Sequence, residues 1–153
     1  MTVLDVCCGS RMFYFDKTDP RVLFGDIRSE THTLCDGRTL NITPDQIMDF
    51  RALPFADDSF QVVIFDPPHL RKAGENSWLR KKYGILSDNW EIDLRQGFAE
   101  CFRVLAKGGV LVFKWNETQI KVAKILSLTQ HKPLIGHQSG KRSDTHWILF
   151  LRD

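Results

Sequence analysis

Residues 3–10 of the chain read VLDVCCGS, an apolar run that ends in a glycine-containing turn. Apolar and β-branched residues dominate the first five positions, and such residues favour the pleated, buried surface of a sheet. This pattern predicts a buried β-strand over Val3–Cys7 that ends at Gly9-Ser10.

Further strands of the same kind follow along the chain, each short, apolar and bounded by turn-forming residues. They are predicted over Arg21–Phe24, Gln61–Phe65, Val110–Phe113 and Trp147–Leu151. Near-continuous apolar runs fit a sheet that is covered on both faces, and they therefore indicate a parallel α/β sheet.

Two weaker patterns lie between the second and third of these runs. Gln46–Met48 is a candidate short strand. Asp36-Gly37 separates residues 33–35 from residues 38–40, and Asp-Gly is typical of a tight hairpin turn. We therefore expect a small hairpin here.

Helical spacing of apolar residues marks the segments between the strands. Leu94–Leu105 and Thr118–Thr129 both carry it, and Gly108 follows the first of them as a stop signal. Ser10–Asp16 has room for at most two helical turns. The alternation of strands and helices predicts a doubly wound α/β fold, with residues 1–153 forming one domain.

Composition and charge narrow the class of protein. The chain has 153 residues, of which 42% are hydrophobic and 26% charged, as in ordinary globular domains. No apolar run approaches the roughly 18 residues of a membrane span, so no membrane partner is expected. No signal peptide opens the chain, and the four cysteines form no CxxC pair, which predicts reduced thiols in the cytoplasm. The net charge of +2 by itself does not indicate a nucleic-acid partner.

Polar and turn-forming residues follow several predicted strands. In a doubly wound sheet, ligands bind outside the carboxyl ends of the strands. Asp26 lies 21 residues after Asp5, a spacing at which a βαβ unit can place an acid on a nucleoside ribose. Together these residues predict a pocket shaped for a nucleoside. The candidates are Asp5 with Cys8-Gly9-Ser10, Asp26, Asp49-Phe50 and Asp66-Pro67-Pro68-His69.

Several of these stretches resemble motifs of the class I (Rossmann-like) S-adenosylmethionine-dependent methyltransferases. Residues 3–10 resemble the first motif of the family, residues 50–63 the segment leading into its fourth strand, and residues 104–111 the approach to its fifth strand. Residues 66–69 resemble the (D/N/S)-P-P-(Y/F/W/H) motif of the amino-methyltransferases, which act on exocyclic nitrogens of bases. The resemblance covers residues 3 to about 115. It implies a Rossmann-like, mostly parallel sheet with an antiparallel C-terminal strand.

The resemblance implies a cofactor, S-adenosylmethionine, and residues that would bind it. Cys8-Gly9-Ser10 would let the backbone approach the methionine part, with Asp5 holding that loop or the amino group. Asp26 would accept hydrogen bonds from the ribose hydroxyls. Asp49 would accept from the adenine amino group, and Phe50 would flank the ring or donate its backbone amide.

The same resemblance implies that residues 66–69 act on the target. Asp66 and the Pro67 carbonyl would accept hydrogen bonds from the target amino group, and His69 would stack on the target base. An exocyclic amine has a delocalised lone pair, and two acceptors beside it draw it toward the tetrahedral geometry that attacks a sulfonium methyl. The rate would then come from positioning and electrostatics. Pro67 and Pro68 make the loop stiff.

Basic and aromatic residues alternate between Leu70 and Asp93, directly after that motif. Basic side chains bind phosphates and aromatic rings stack on unpaired bases, so residues 70–93 are predicted to be a substrate-recognition loop for nucleic acid. Lys114-Trp115-Asn116 and Lys141-Arg142 could extend the surface. The candidate substrate-binding residues are Arg71, Lys72, Trp78, Lys81, Lys82 and Tyr83.

The chain departs from the family pattern at three points. Arg11 stands where a second glycine is usual, and its side chain would narrow the approach of the cofactor or add its own charge. The first predicted strand begins at Val3, so the helix that often covers the cofactor in this family is not expected before it. No separate target-recognition domain is expected.

The expected function is transfer of a methyl group to an exocyclic amino group of a nucleobase, foremost adenine N6 in DNA or RNA. The base would have to be flipped out or single-stranded, and no metal is expected. Two alternatives stay open. One is a catalytically idle S-adenosylmethionine-binding or scaffold subunit, and the other is a methyltransferase of a protein amide or a small molecule. A homodimer or a partner subunit is also open.

Overall fold

The computed structural model describes residues 1–74, 77–138 and 143–153, and within these ranges it contains nine strands and three helices. The predicted surface residues Lys141-Arg142 lie outside the described residues. The strands are β1 Val3–Asp5, β2 Val22–Asp26, β3 Glu30–Thr33, β4 Thr39–Ile42, β5 Gln46–Ile47, β6 Phe60–Phe65, β7 Leu105–Asn116, β8 Ile135–Gln138 and β9 Thr145–Leu151. The helices are α1 Trp78–Tyr83, α2 Trp90–Val104 and α3 Val122–Leu126.

The main sheet has the strand order β5-β2-β1-β6-β7-β9-β8. β1 pairs in parallel with β2 and β6, β2 with β5, and β6 with β7, whereas β9 is antiparallel to both of its neighbours. The predicted fold class, a mostly parallel sheet with an antiparallel C-terminal strand, is confirmed. The strand order reverses between β1 and β6, so the crevice at their carboxyl ends is where this architecture binds ligands.

The helices differ in how closely they follow the sequence pattern. α2 confirms the predicted helix but starts four residues earlier, at Trp90. α3 is much shorter than the predicted Thr118–Thr129, because Thr118 N–H donates to the Asn116 side chain and residues 118–120 form a bend before the helix begins. Residues 10–16 form turns rather than a helix, with Arg11 in the left-handed region at a φ of 57°.

Two predicted strand regions differ from the structure in their bounds. β7 begins at Leu105 rather than Val110, and Gly108 lies inside it with a φ of 75°. The Gly108 N–H donates to the Arg152 carbonyl, a contact between distant parts of the chain that local spacing does not reveal. The predicted hairpin is confirmed as the separate pair β3–β4, but its last paired residues are Thr33 and Thr39, so the turn is longer than two residues.

The core lies between the main sheet and α2. Phe98 on α2 packs against Phe65 of β6 and Phe113 of β7, with ring centroids 5.3 and 4.9 Å apart. Leu94 and Phe98 are buried, as the helical spacing predicts. Among the described residues, no helix is both long and apolar enough to cross a bilayer.

Gly97 gives a direct test of this packing. A Cβ at this position would lie 2.6 Å from Cδ2 of Phe50 and 2.7 Å from Cζ of Phe65. Overpacking of this kind costs about 1–3 kcal/mol, and the better helix propensity of alanine returns at most about 1 kcal/mol. We expect Gly97→Ala to lower the free energy of unfolding, measured by urea denaturation. Gly74→Ala, where a Cβ meets nothing within 4 Å, is the matched control and should change it by less than about 0.5 kcal/mol.

Candidate functional site

A cavity of about 410 Å³ opens at the carboxyl ends of β1, β2 and β6. Its volume lies in the usual range of pockets for small ligands. The cavity brings together most of the predicted site residues. Those that line it are Cys8, Gly9, Ser10, Asp26, Phe50, Asp66, Pro67, Pro68, Lys81, Lys82 and Tyr83.

The loop after β1 presents its backbone to the cavity. Gly9 adopts a φ of 52°, a left-handed conformation that glycine adopts without steric cost. Its N–H donates to Oδ2 of Asp26 at 2.8 Å, which ties the loop to the end of β2. A Cβ at Gly9 would lie 3.8 Å from the Lys82 carbonyl oxygen, so the loop runs close beneath the end of α1.

Asp26 is a buried carboxylate in the wall of the cavity. It is 5% exposed, and its two oxygens accept the N–H groups of Gly9 and Arg28 at 2.8 and 2.9 Å. Each carboxylate oxygen can accept more than one hydrogen bond, so a ligand hydroxyl can still donate to Asp26. This placement suits the predicted ribose contact.

Asp5 lies behind the loop and is not among the residues that line the cavity. Its carboxyl oxygens accept the Cys7 N–H at 3.1 Å and the Tyr14 hydroxyl at 2.7 Å. Burial raises the pKa of Asp5 to about 7, against the opposing effect of the Tyr14 and Cys7 hydrogen bonds. Of the two roles predicted for Asp5, this placement suits the one in which it holds the loop.

Asp49 and Phe50 were both predicted to bind the cofactor, but their side chains lie in different places. Phe50 lines the cavity, but Asp49 does not. The Asp49 carboxylate instead pairs with the guanidinium of Arg51, with Oδ2 2.6 Å from Nη2, and also accepts the Arg51 N–H at 2.9 Å. The Arg51 hydrogen bonds lower the pKa of Asp49. The predicted contact between Asp49 and an adenine amino group therefore does not fit the position of this side chain.

Arg11 leaves the cavity free. Its guanidinium donates to the carbonyls of Lys17 and Thr43, at 2.5 and 2.8 Å, and its Cζ lies 3.9 Å from the centroid of the Phe24 ring. Arg11 is not among the lining residues. The structure thus places the Arg11 side chain along β2 and outside this cavity, so it does not narrow the cavity.

Asp66 stands at the opposite wall with Pro67 and Pro68. Burial raises the pKa of Asp66 to about 6, although the Lys114 ammonium, with Nζ 3.5 Å from Oδ2, acts in the opposite direction. That ammonium also lies 5.3 and 5.4 Å from the ring centroids of Phe13 and Trp147. Asp66 thus has Lys114 as its counter-ion. Its pKa is close to neutrality, the range in which a carboxylate can both accept and release protons.

His69 packs beside the cavity without lining it. Its ring centroid lies 5.2 Å from that of Tyr83 and 6.2 Å from that of Trp115. Burial, with a smaller effect of Lys114, lowers the pKa of His69 to about 4. At neutral pH His69 is therefore an uncharged ring that supports Tyr83. Its predicted stacking on a target base is not matched by this placement.

The lowered pKa of His69 predicts a pH effect on stability. The unfolded histidine has a pKa of about 6.5, so between pH of about 6.5 and 4 the unfolded chain binds more protons than the folded one. The contribution of His69 to stability therefore falls as the pH falls through this window. We expect the urea midpoint of the wild type to drop more between pH 7.5 and 5 than that of His69→Gln. Equal drops in both proteins would contradict the burial of this ring.

Residues 80–83 of the recognition loop cover one side of the cavity, and we call them the roof. Arg80 and the end of α1 line the cavity. Nη1 of Arg28 donates to the Lys81 carbonyl at 2.8 Å. Trp78 is 47% exposed, and the Lys82 Nζ lies 5.1 Å from its ring centroid.

Arg71 and Lys72 lie apart from this roof. Their N–H groups donate to Oε1 of Gln119, at 2.5 and 3.1 Å, and neither residue lines the cavity. The structure therefore places Lys81, Lys82 and Tyr83 at the site and leaves Arg71 and Lys72 outside it.

Several lining residues were not predicted from the sequence. Phe13, Arg28 and Met48 line the cavity, as do Glu30 and His32 of β3. His32 Nε2 lies 2.8 Å from Oε2 of Glu30. Alternate residues of a strand share a face, so the i, i+2 spacing of Glu30 and His32 was the available signal once the hairpin had been predicted.

Thiols and metal ligands form no further centre in the part of the chain that the structure describes. Cys7, Cys8, Cys35 and Cys101 are all free thiols. Within the same residues, no three His, Cys, Asp or Glu side chains are grouped so that they could hold a metal ion. The expectation of a metal-free site stays a prediction.

Comparisons with known proteins identify the fold. A scan against protein-family models found no match, and a search of curated proteins found none either. Among solved structures, the PH0226 protein of Pyrococcus horikoshii aligns with a TM-score of 0.64 at 15% identity, covering 99% of this chain and 82% of that one. An S-adenosylmethionine-dependent methyltransferase of Methanosarcina mazei aligns with a TM-score of 0.58 at 11% identity, covering 99% and 92%.

A third solved structure is an S-adenosylmethionine-dependent methyltransferase of Thermotoga maritima, described as a possible histamine N-methyltransferase. It aligns with a TM-score of 0.55 at 12% identity, covering 99% of this chain and 82% of that one. At such low identities the likeness concerns the fold. The chain has the Rossmann-like fold of these S-adenosylmethionine-dependent methyltransferases, over nearly its whole length.

Proposed function

We propose that the protein is an S-adenosylmethionine-dependent methyltransferase that acts on an exocyclic amino group of a nucleobase. One observation carries the proposal. The buried carboxylate of Asp26 and the partly buried carboxylate of Asp66 stand in the wall of one cavity, together with the backbone of the Gly9 loop. The fold adds support, since the methyltransferases of Methanosarcina mazei and Thermotoga maritima are described as S-adenosylmethionine-dependent.

The lining residues fit the parts of S-adenosylmethionine. Asp26 offers acceptors to the ribose hydroxyls, and Met48 and Phe50 offer an apolar surface to the adenine ring. The loop at Gly9-Ser10 lets the backbone approach the methionine part. The cofactor supplies a methyl group on a positively charged sulfur, which makes the methyl carbon electrophilic. The carboxylates of Asp26 and Asp66 lie in the wall of the cavity, where they can attract such a cation.

Asp66 and the Pro67 carbonyl orient the acceptor amine. Both accept hydrogen bonds from an amino group, and the paired prolines restrict the backbone that carries them. Lys114 fixes the orientation of Asp66 from 3.5 Å. With a pKa of about 6, Asp66 can accept the proton that the methylated nitrogen loses. The residues thus act by positioning and electrostatics, without a covalent step.

The roof of the cavity favours a nucleobase as the acceptor. Arg80, Lys81 and Lys82 bring positive charge to the cavity, and Tyr83 brings an aromatic ring. Trp78 does not line the cavity, but its exposed ring lies beside the Lys82 ammonium. Cations bind phosphates and rings stack on unpaired bases. A stacked base cannot reach a recessed carboxylate such as Asp66, so the substrate would be single-stranded or flipped out. Adenine N6 is the favoured acceptor, in DNA or RNA.

The test is transfer of radiolabelled methyl groups from S-adenosylmethionine to separate pools of single-stranded DNA, RNA, protein and small amines. We expect label in nucleic acid, and N6-methyladenine after digestion to nucleosides. Label in a protein or small-amine pool alone would replace the nucleobase by another acceptor. Binding of the cofactor without transfer to any pool would instead establish an idle binding or scaffold subunit.

A further inference from the structure

A second cavity of about 470 Å³ adjoins the first on the other side of the loop after β1. The two cavities share Gly9, Ser10, Met12 and Lys82 as lining residues. The second is walled by the turns around Lys17 and by the outer part of the β3–β4 hairpin. We call it the basic groove. The roles argued above for the cofactor and the acceptor amine make no use of it.

The charge of the basic groove is of one sign. Its charged lining residues are Arg11, Lys17, Arg38 and Lys82, and none of the described residues that line it is acidic. Arg11 and Arg38 have carboxylate partners outside the lining, Asp45 at 3.3 Å and Asp36 at 2.5 Å.

Lys17 and Lys82 differ from these two arginines. Within the described ranges neither lysine has a carboxylate oxygen within 4 Å of its ammonium. Two ammonium groups are therefore available to an anion from outside the chain.

Polar groups surround these cations. Thr18, Thr39 and Asn41 also line the groove and are exposed. In β4 the exposed Thr39 and Asn41 alternate with the buried Leu40 and Ile42, so the strand turns a regular polar face outward. Hydroxyls and amides are donors that proteins use on phosphate oxygens, together with lysine and arginine. None of the described lining residues of the groove is aromatic, so it lacks the rings on which bases stack.

We propose that the basic groove binds backbone phosphates of the nucleic-acid strand that carries the target base. The inference rests on the proposed function and extends it to a path for the substrate. Lys82 borders both cavities, so a strand whose base enters the cavity at Asp66 can continue across Lys82 toward Lys17 and Arg38. The hairpin, which pairs with no strand of the main sheet, then acts as a substrate-binding insertion.

The test compares two double variants of the full chain. Lys17→Gln with Arg38→Gln removes two groove charges, and Lys107→Gln with Arg95→Gln removes two exposed charges outside both cavities. The probe is a labelled single-stranded 12-mer, as DNA and as RNA, titrated over a series of salt concentrations. Calorimetry with S-adenosylmethionine and urea unfolding show whether each variant keeps its cofactor affinity and fold.

The groove variant is expected to bind the 12-mer at least about tenfold more weakly at low salt. Its slope of log K against log salt should fall by about 1.4 for two lost phosphate contacts. The control variant and all cofactor affinities should match wild type. If the wild type binds the 12-mer and the groove variant shows the same salt slope, phosphate binding in the groove is overturned and the proposed function is not. If the double variant unfolds, Lys17→Gln takes its place, and an unchanged slope in that variant has the same meaning.

Two further outcomes separate the groove from the function on which it rests. A wild type that binds no 12-mer would overturn both the nucleobase proposal and the groove. Inorganic phosphate or adenosine monophosphate that binds wild type but not the groove variant, with 12-mer binding equal in both, would overturn the assignment to a strand and leave a site for a free phosphate.

Discussion

Asp66→Asn is expected to slow methyl transfer at least about 100-fold while changing the affinity for S-adenosylmethionine less than about threefold. The asparagine keeps the shape of the side chain but loses the negative charge and the proton-accepting capacity. Losses of one preorganised polar group at a reacting centre are typically about 100- to 1000-fold. The Pro67 carbonyl and the Gly9 loop stay in place, so the cofactor should still bind.

The pH profile makes this test specific to ionisation. The pKa of Asp66 is about 6, raised by burial, and only the ionised carboxylate can accept a proton. The wild-type rate should therefore rise as the pH rises through about 6, whereas the residual rate of Asp66→Asn should lack this step. Asp88→Asn, at an exposed position of the same recognition loop, is the control and should retain the wild-type rate and profile. An Asp66→Asn enzyme with near wild-type activity would contradict the assignment.

Asp26→Ala is expected to weaken the binding of S-adenosylmethionine at least about 30-fold. The change removes the acceptors for the ribose hydroxyls, and hydrogen bonds to a charged group contribute about 1.5–3 kcal/mol. It also leaves the N–H groups of Gly9 and Arg28 without their carboxylate partner, so the loop after β1 loses its anchor. Calorimetric titration of both proteins measures the difference.

Asp49→Ala is the matched control. It distinguishes a role of Asp49 at the cofactor from its pairing with Arg51 outside the cavity. The family resemblance implies that both carboxylates contact the cofactor, whereas the structure pairs Asp49 with Arg51 outside the cavity. We expect Asp49→Ala to change the affinity less than about threefold. A larger loss in Asp49→Ala than in Asp26→Ala would show that the cofactor contacts Asp49 and that the cavity has been misassigned.

Much of the fold could be predicted because it depends on local patterns. Val3–Cys7 and Gln61–Phe65 show a buried parallel strand in their own residues, and Leu94 and Phe98 show the inner face of α2. The start of β7 could not be predicted, since it depends on the pairing of Gly108 with Arg152, far along the chain. β8 was not predicted: among the described residues it pairs with β9 alone, at the edge of the sheet, and a short edge strand has a weak sequence pattern.

The site residues also divide into those whose position the sequence predicts and those whose position depends on tertiary contacts. Gly9, Asp26 and Asp66 lie at or just beyond the carboxyl ends of β1, β2 and β6, and the parallel sheet brings these ends to one edge. The directions of the Asp49 and Arg11 side chains depend on the partners that attract them, Arg51 in one case and distant carbonyls in the other. Arg51 lies two residues after Asp49, so the sequence offered this ion pair as an alternative to the cofactor contact, whereas spacing gave no indication of the partners of Arg11.

Calorimetric titration of S-adenosylmethionine and of its demethylated product into the wild-type protein shows whether the cavity at Asp26 and Asp66 binds the cofactor. We expect binding of both, one molecule per chain, at micromolar strength, and loss of that binding in Asp26→Ala. Absence of binding by a folded wild type at millimolar concentrations of the cofactor would contradict the claim that the cavity between Asp26 and Asp66 is a cofactor site.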